Sequence, residues 1–203
     1  MSFVGSASSP EQFPRDGRPE VAFLGRSNVG KSSLLNALCG VRGLARVSAE
    51  PGRTRLVNFF RVAGAAGAAA RWDLYLVDLP GYGYARAPRA ERDGWEALIT
   101  SYLVGRPSLA LGVFLVDARH EATEGDATLR SFLDHHRVPY VVAATKADKL
   151  APHELARRSR ELGQGVGRKA RAVVTVSTAT GAGLDELWRT IVEAAAAAPA
   201  ARN

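Results

Sequence analysis

Gly25-Arg26-Ser27-Asn28-Val29-Gly30-Lys31-Ser32 reads G-x-x-x-x-G-K-S, the phosphate-binding P-loop pattern, and its reading decides the fold. The apolar run before it, Val21-Ala22-Phe23-Leu24, suits a buried strand, and Ser33-Leu34-Leu35-Asn36-Ala37-Leu38 after it suits a helix. That setting separates a phosphate loop from an ordinary glycine-rich turn. Glycines let the backbone wrap closely round a phosphate, and the loop and helix start aim N–H groups at it. Lys31 is then the group that neutralises β- and γ-phosphates, and the Ser32 hydroxyl is a candidate Mg²⁺ ligand.

Outward from the loop, strands and helices alternate. Strands are expected at 20–25, 56–62, 72–77, 109–116, 140–144 and 172–176, with 56–62 and 72–77 pairing as an antiparallel hairpin across an Ala/Gly turn. Helices are expected from 31 to Cys39 and over 90–104, 126–136, 152–166 and 184–197. The pattern predicts an α/β P-loop NTPase fold: a mostly parallel six-stranded sheet with one antiparallel edge strand and helices on both faces. Residues 18–197 form one domain in this reading. Residues 1–17 form a flexible N-terminal arm with Phe3 and Phe13 as docking points, and 198–203 a flexible tail. Two glycine- and proline-rich stretches, 40–55 and 78–95, are long for connections in a compact domain, and such loops are usually functional.

The 203 residues are enough for one sizeable α/β domain, and at 46% hydrophobic they can build a core. Lys and Arg outnumber Asp and Glu by 27 to 20, a surplus of +7 that suits a nucleic-acid or ribosomal partner. The one cysteine, Cys39, excludes an intrachain disulfide framework and reads as a small buried apolar residue in a reducing compartment. No apolar run reaches the ~18–20 residues of a membrane span, and the N-terminus lacks the pattern of a secretory signal. The expected location is the cytoplasm, with no membrane partner and a monomer as the default.

In an open parallel sheet, ligands sit at the carboxyl ends of the strands, and every further motif falls at such an end. Asp78-Leu79-Pro80-Gly81 closes the 72–77 strand. There Asp78 can hold Mg²⁺ through water, and the Gly81 N–H can meet the γ-phosphate. In Gly52-Arg53-Thr54-Arg55-Leu56, Thr54 can complete the Mg²⁺ shell and touch a γ-phosphate only when one is present, so that hydrolysis becomes a loop release. Thr145-Lys146-Ala147-Asp148 follows the 140–144 strand. The Asp148 carboxylate can accept from guanine N1–H and the 2-amino group, a donor pair adenine lacks, and the Lys146 stem can lie over the base. Val176-Ser177-Thr178 follows the last strand, where backbone N–H groups can reach guanine O6. These motifs together point to GTP and GDP as ligands.

Taken in order, GRSNVGKS, PGRT, DLPG, TKAD and VST resemble a small translation-factor-class GTPase. More narrowly, PGRT with Val57-Asn58-Phe59-Phe60, then Val77 to Ala85 (VDLPGYGYA), then Leu115-Val116-Asp117-Ala118-Arg119-His120 resemble the EngB (YihA/YsxC) family of bacterial ribosome-biogenesis GTPases over residues 18–195. The resemblance implies a P-loop α/β fold, GTP and GDP binding with Mg²⁺, and work with the large ribosomal subunit and its rRNA. It also implies a part in cell division and septation. The sequence departs from the usual base-recognition motif at its first position, where Thr145 stands in place of Asn.

The residue after Asp-x-x-Gly is often a glutamine that orients the attacking water. Here it is Tyr82, so slow intrinsic hydrolysis is expected. Lys31, Thr54 and Gly81 are the candidate catalytic positions. Asn28, three residues before Lys31, resembles the asparagine that binds K⁺ in potassium-dependent relatives; a structural asparagine in a tight loop is the alternative. Asp117 and Arg119 read as a salt bridge bracing their loop. Arg86 and Arg89 with Tyr82 and Tyr84 suit RNA contact or a solvated switch loop. Two competing readings stay open at this level: a signalling GTPase with protein partners only, and an ATP-dependent P-loop kinase or ATPase.

Overall fold

The computed structural model describes residues 1–41, 43, 56–66, 70–82, 89–165, 167 and 169–198. Seven strands form one sheet: β1 (Ser2–Ala7), β2 (Glu20–Gly25), β3 (Val57–Ala66), β4 (Ala70–Asp78), β5 (Leu109–Asp117), β6 (Tyr140–Thr145) and β7 (Ala170–Thr175). Their spatial order is β1-β3-β4-β2-β5-β6-β7. β2 runs parallel to both β4 and β5, and β5–β6 and β6–β7 are parallel pairs. β3 is antiparallel to β4, as the expected hairpin requires. Its strands run on into the Ala/Gly stretch that reads as a turn, because Gly64 packs under the Trp72 ring and keeps the pair together.

β2 and β6 are buried along their whole length, and β5 at all but its first residue. Strands covered on both faces read as continuous apolar runs, which explains how the alternation could be followed in the sequence. The helices are α1 (Lys31–Leu38), α2 (Arg89–Gly105), α3 (Glu124–His135), α4 (Pro152–Gly165) and α5 (Leu184–Ala197). One core layer joins Leu34 and Leu35 of α1 with Leu187 and Ile191 of α5 against Val21, Phe23 and Val113. The opposite layer joins Tyr102 of α2 and Leu133 of α3 against Ala22, Val77 and Val142, with Leu162 of α4 at its border. Helices therefore cover both faces.

The sheet has seven strands where six were expected, because the N-terminal segment read as a flexible arm adds β1 outside β3. The segment is bolted down. Phe13 is 6% exposed, with its ring 5.8 Å from Phe59 and 5.4 Å from Tyr102. Arg106 lies over that ring and donates to the Pro14 carbonyl and to the buried Glu20 carboxylate, which also accepts from the Tyr102 hydroxyl at 2.7 Å. Asp16 accepts from Tyr75 at 2.6 Å, and Asp73 accepts from both Arg18 and Arg61. Phe13 is a docked residue, as expected; Phe3 rests on Phe60 but stays 55% exposed. Such an edge strand has no local pattern strong enough to announce it, since Ser2 pairs with Arg61 and Ala7 with Val57, and strand preference is set by packing against such distant partners.

Register then assembles the site. Phe23 pairs with Asp78, Gly25 with Leu115, Asp117 with Thr145, and Ala144 with Thr175. The ends of β2, β4, β5, β6 and β7 thus lie along one carboxyl edge, the place where such sheets bind ligands.

Candidate guanine-nucleotide site

The P-loop leaves β2 at Gly25 and enters α1 through Gly30, which has a left-handed backbone (φ +105°) that an L side chain would strain. The first rung of α1 is Leu34 N–H to Gly30 O at 2.9 Å. The amides of Lys31, Ser32 and Ser33 precede that ladder and are the donors a helix start offers to an anion. Asn28 also has a left-handed backbone (φ +63°), a conformation asparagine tolerates, so its identity already has a structural use. Its side chain is exposed.

The Asp78–Gly81 segment packs directly on this loop. A Cβ at Gly81 would stand 2.9 Å from Ser27 N. Tyr82 N–H donates to Gly25 O at 3.3 Å, and Ser27 N–H to Tyr82 O at 3.1 Å. Main chain thus meets main chain here, and only a glycine lets it. Lys31 and Asp78 form a buried ion pair, their side chains 10% and 5% exposed. With a nucleotide phosphate and a divalent cation in the seat, each would have its own opposite charge. Ser32, Asp78 and phosphate are hard oxygen donors of the kind Mg²⁺ takes. Leu79 is fully buried in the core and Val29 nearly so, which leaves only their backbones to face the loop.

Tyr82 does not face this seat. Its hydroxyl donates to Asp126, within the capping box that starts α3, where Thr123 N–H donates to Asp126 at 2.7 Å. Burial and this carboxylate raise the phenol far above its ordinary range. The T-x-x-D spacing announces a helix start; nothing local announces that the same carboxylate holds Tyr82.

The base end is built from side chains. Lys146, left-handed at φ +61°, donates from Nζ to Asn28 O at 3.0 Å and to Asp117 Oδ2 at 2.8 Å. Arg119 binds the same carboxylate through Nε and Nη2, both at 2.9 Å, which is the expected brace. Burial pushes the Asp117 carboxyl up, but the bonds from Arg119 and Lys146 outweigh it and hold it well below the usual range. Arg158 of α4, 9% exposed, donates to Ala118 O and His120 O and fixes that loop from behind. It was not among the sequence candidates, since an arginine amid the charged pattern of α4 looks like any solvated one.

Thr145, which replaces the more usual Asn, places Oγ1 2.7 Å from Val29 O and 3.1 Å from Val116 O. Its single O–H ties the P-loop to β5, the bridging that an amide would make with two donors. Asp148 accepts from Ser177 Oγ at 2.7 Å, and Ser177 in turn accepts from the amides of Ala179 and Thr180. The Ser177 bond leads the causes that lower the Asp148 carboxyl below its ordinary range. The expectation that backbone amides of 176–178 reach the base needs correction in part. Val176 N–H already binds Ala144 O, and Ser177 N–H binds Ala182 O. Ser177 instead meets Asp148 through its hydroxyl.

Gly52, Arg53, Thr54, Arg55, Tyr84 and Arg86 lie outside the described residues, and of Leu56 the structure shows a 38% exposed side chain at the foot of β3. Cys39 packs against the core, and burial pushes its thiol up to about 12, consistent with an inert small residue. Among the described residues no helix is long and apolar enough to cross a membrane.

Residues 20–146 match the family model of 50S ribosome-binding GTPases. The chain is 46% identical over 185 residues to the probable GTP-binding protein EngB of Chlorobaculum parvum, covering 91% of this chain and 92% of that one. It is 45% identical over 198 residues to the protein of the same description from Anaeromyxobacter dehalogenans, covering 97% and 92%. A solved structure of a probable GTP-binding protein engB superposes with a TM-score of 0.64 at 22% identity, over 87% of this chain and 98% of the other. Era, solved with MgGDPNP and nucleotides 1506–1542 of 16S ribosomal RNA, superposes at 0.67 with 25% identity, over 88% and 57%.

Proposed function

Because the chain belongs to the EngB family of GTP-binding proteins, and is a GTP-hydrolysing enzyme, we propose that it is a slow molecular switch in assembly of the large ribosomal subunit. The reading extends to a part in normal cell division and septation, and to a cytoplasmic monomer. The observation that carries the nucleotide half is Asp148, held by the Ser177 hydroxyl beside the pinned Lys146. That pair suits guanine and argues against the ATP-dependent reading.

In the proposed cycle, Lys31 and the amides at the start of α1 hold the phosphates. Ser32, Asp78 and Thr54 would hold Mg²⁺, which when bound would neutralise charge on the β- and γ-phosphates. Gly81 N–H reads the γ-phosphate from a segment packed on the P-loop. Tyr82, held on Asp126, orients no water, so intrinsic turnover is slow. Asn28 adds K⁺ as a candidate stimulating ion; equal hydrolysis rates in KCl and NaCl would remove that part.

The ribosomal half is supported by the 50S ribosome-binding family model and the +7 surplus. Co-sedimentation with purified large subunits, with GDP and with a non-hydrolysable GTP analogue, tests it. Retention in the GTP form only is expected, with affinity falling as salt rises. No retention in either form at low salt would leave a GTPase with protein partners only.

A further inference from the structure

Among the described residues, the polar clusters outside the motifs that carry the phosphate chemistry include the Arg18–Asp73–Arg61 staple, the Glu20–Tyr102–Arg106 network and the Asp117 cluster. The first two tie the N-terminal segment to the sheet and face away from the carboxyl edge. The third stands at that edge. Asp117 is the last residue of β5, its side chain is 3% exposed, and it is register partner to Thr145 at the head of the base-recognition motif.

We propose that Asp117 is a positioning residue for guanine-nucleotide binding, acting through Lys146. The inference rests on the guanine reading of Asp148 and Lys146 and extends it to a residue outside their motif. A lysine has a flexible four-carbon stem, and laying it along a base costs most of its rotamer freedom. Here the ammonium has two fixed acceptors before any ligand arrives. Asn28 O, 3.0 Å away, belongs to the P-loop, and Asp117 Oδ2, 2.8 Å away, belongs to β5. With its ammonium held by two acceptors from different segments, the stem is preorganised, and preorganisation appears as affinity.

Geometry also favours Asp117 as the fixed member of the pair. It is the buried one, whereas the side chains of Lys146 and Arg119 are 31% and 39% exposed. Its own loop is immobilised by Arg119 N–H at 3.1 Å and by Arg158 on the Ala118 and His120 carbonyls. Arg119 takes the solvent side of the carboxylate and stabilises its charge, which leaves Oδ2 to serve both cations.

The test is a double-mutant cycle on the full chain, read by binding of fluorescent N-methylanthraniloyl-GDP. Asp117→Asn should weaken binding about tenfold in the parent and less than about twofold in a Lys146→Ala background, because residues acting as one unit are not additive. An equal loss in both backgrounds would show that Asp117 braces its loop only, and no loss in the parent would equally overturn the proposal. Should Asp117→Asn not fold, Arg119→Ala probes the same carboxylate from its other partner. A loss under about twofold is expected, since Lys146 keeps its acceptor; a tenfold loss would mean that the carboxylate serves Arg119. If Asp148→Asn also left binding unchanged, the guanine reading itself would fail, which none of the Asp117 outcomes alone implies.

Discussion

The two ends of the nucleotide seat are built by different means. At the phosphate end the contacts run from main chain to main chain: Gly81 on Ser27, Tyr82 N–H on Gly25 O, and the unladdered amides of α1. At the base end they run through side chains: Lys146 on Asp117, Ser177 on Asp148, and the Thr145 hydroxyl on Val29 O. The difference follows from the ligand. A phosphate is a compact anion that any array of N–H groups can satisfy, provided the backbone can come close. A purine edge offers a particular order of donors and acceptors, and a carboxylate such as Asp148 can be matched to its paired donors. The phosphate end should therefore be intolerant of added bulk, and the base end intolerant of changed charge or donor count.

The largest expected effect is at the base end. Asp148→Asn replaces an acceptor with a group that can donate, so GDP binding should fall by about 100-fold, in line with a lost charge-assisted hydrogen-bond pair. Xanthosine diphosphate, which carries a carbonyl where guanine has its amino group, should gain affinity. Competition binding with the two nucleotides checks this, and retained guanine preference would place recognition elsewhere.

At the phosphate end, Gly81→Ala puts a Cβ 2.9 Å from Ser27 N, a contact that backbone cannot absorb cheaply. Overpacking of this kind costs about 1–3 kcal/mol, measurable as a lower denaturation midpoint, and GDP affinity should fall with it as the P-loop shifts. A stable variant with unchanged affinity would break the contrast between the two ends.

The smallest effect is expected from Thr145→Asn, which gives Val29 O and Val116 O a donor each in place of one shared hydroxyl hydrogen. GDP affinity should change by less than about threefold, because a net hydrogen bond contributes only about 1 kcal/mol and the larger amide must fit. A tenfold loss would show that fit at this position outweighs donor count.

How much was legible follows the same division. The P-loop and the Asp78–Gly81 segment are contiguous stretches in which residue type and backbone need coincide, so they could be read directly. Asp148 and Lys146 could be read for the same reason. Asp117 was legible as a brace for Arg119, but its second bond, to Lys146, spans 29 residues and exists only because β5 and β6 lie in register. Tyr82 was legible as a residue unable to position water, whereas its hold on Asp126 joins two segments 44 residues apart. Val176 and Ser177 were read as amide donors to the base, and the pairing of β7 with β6 and the turn after it had already taken those amides.

By itself, then, the sequence determined the α/β alternation, the phosphate loop and the place of the aspartate proposed to select guanine, because apolar periodicity and glycine or carboxylate placement act locally. Tertiary structure alone decided three things: the seventh strand, the seat of Phe13 between Phe59 and Tyr102, and the sharing of one buried carboxylate by Lys146 and Arg119. Each is a contact between distant segments whose free energy comes from burial and pairing that no local pattern records.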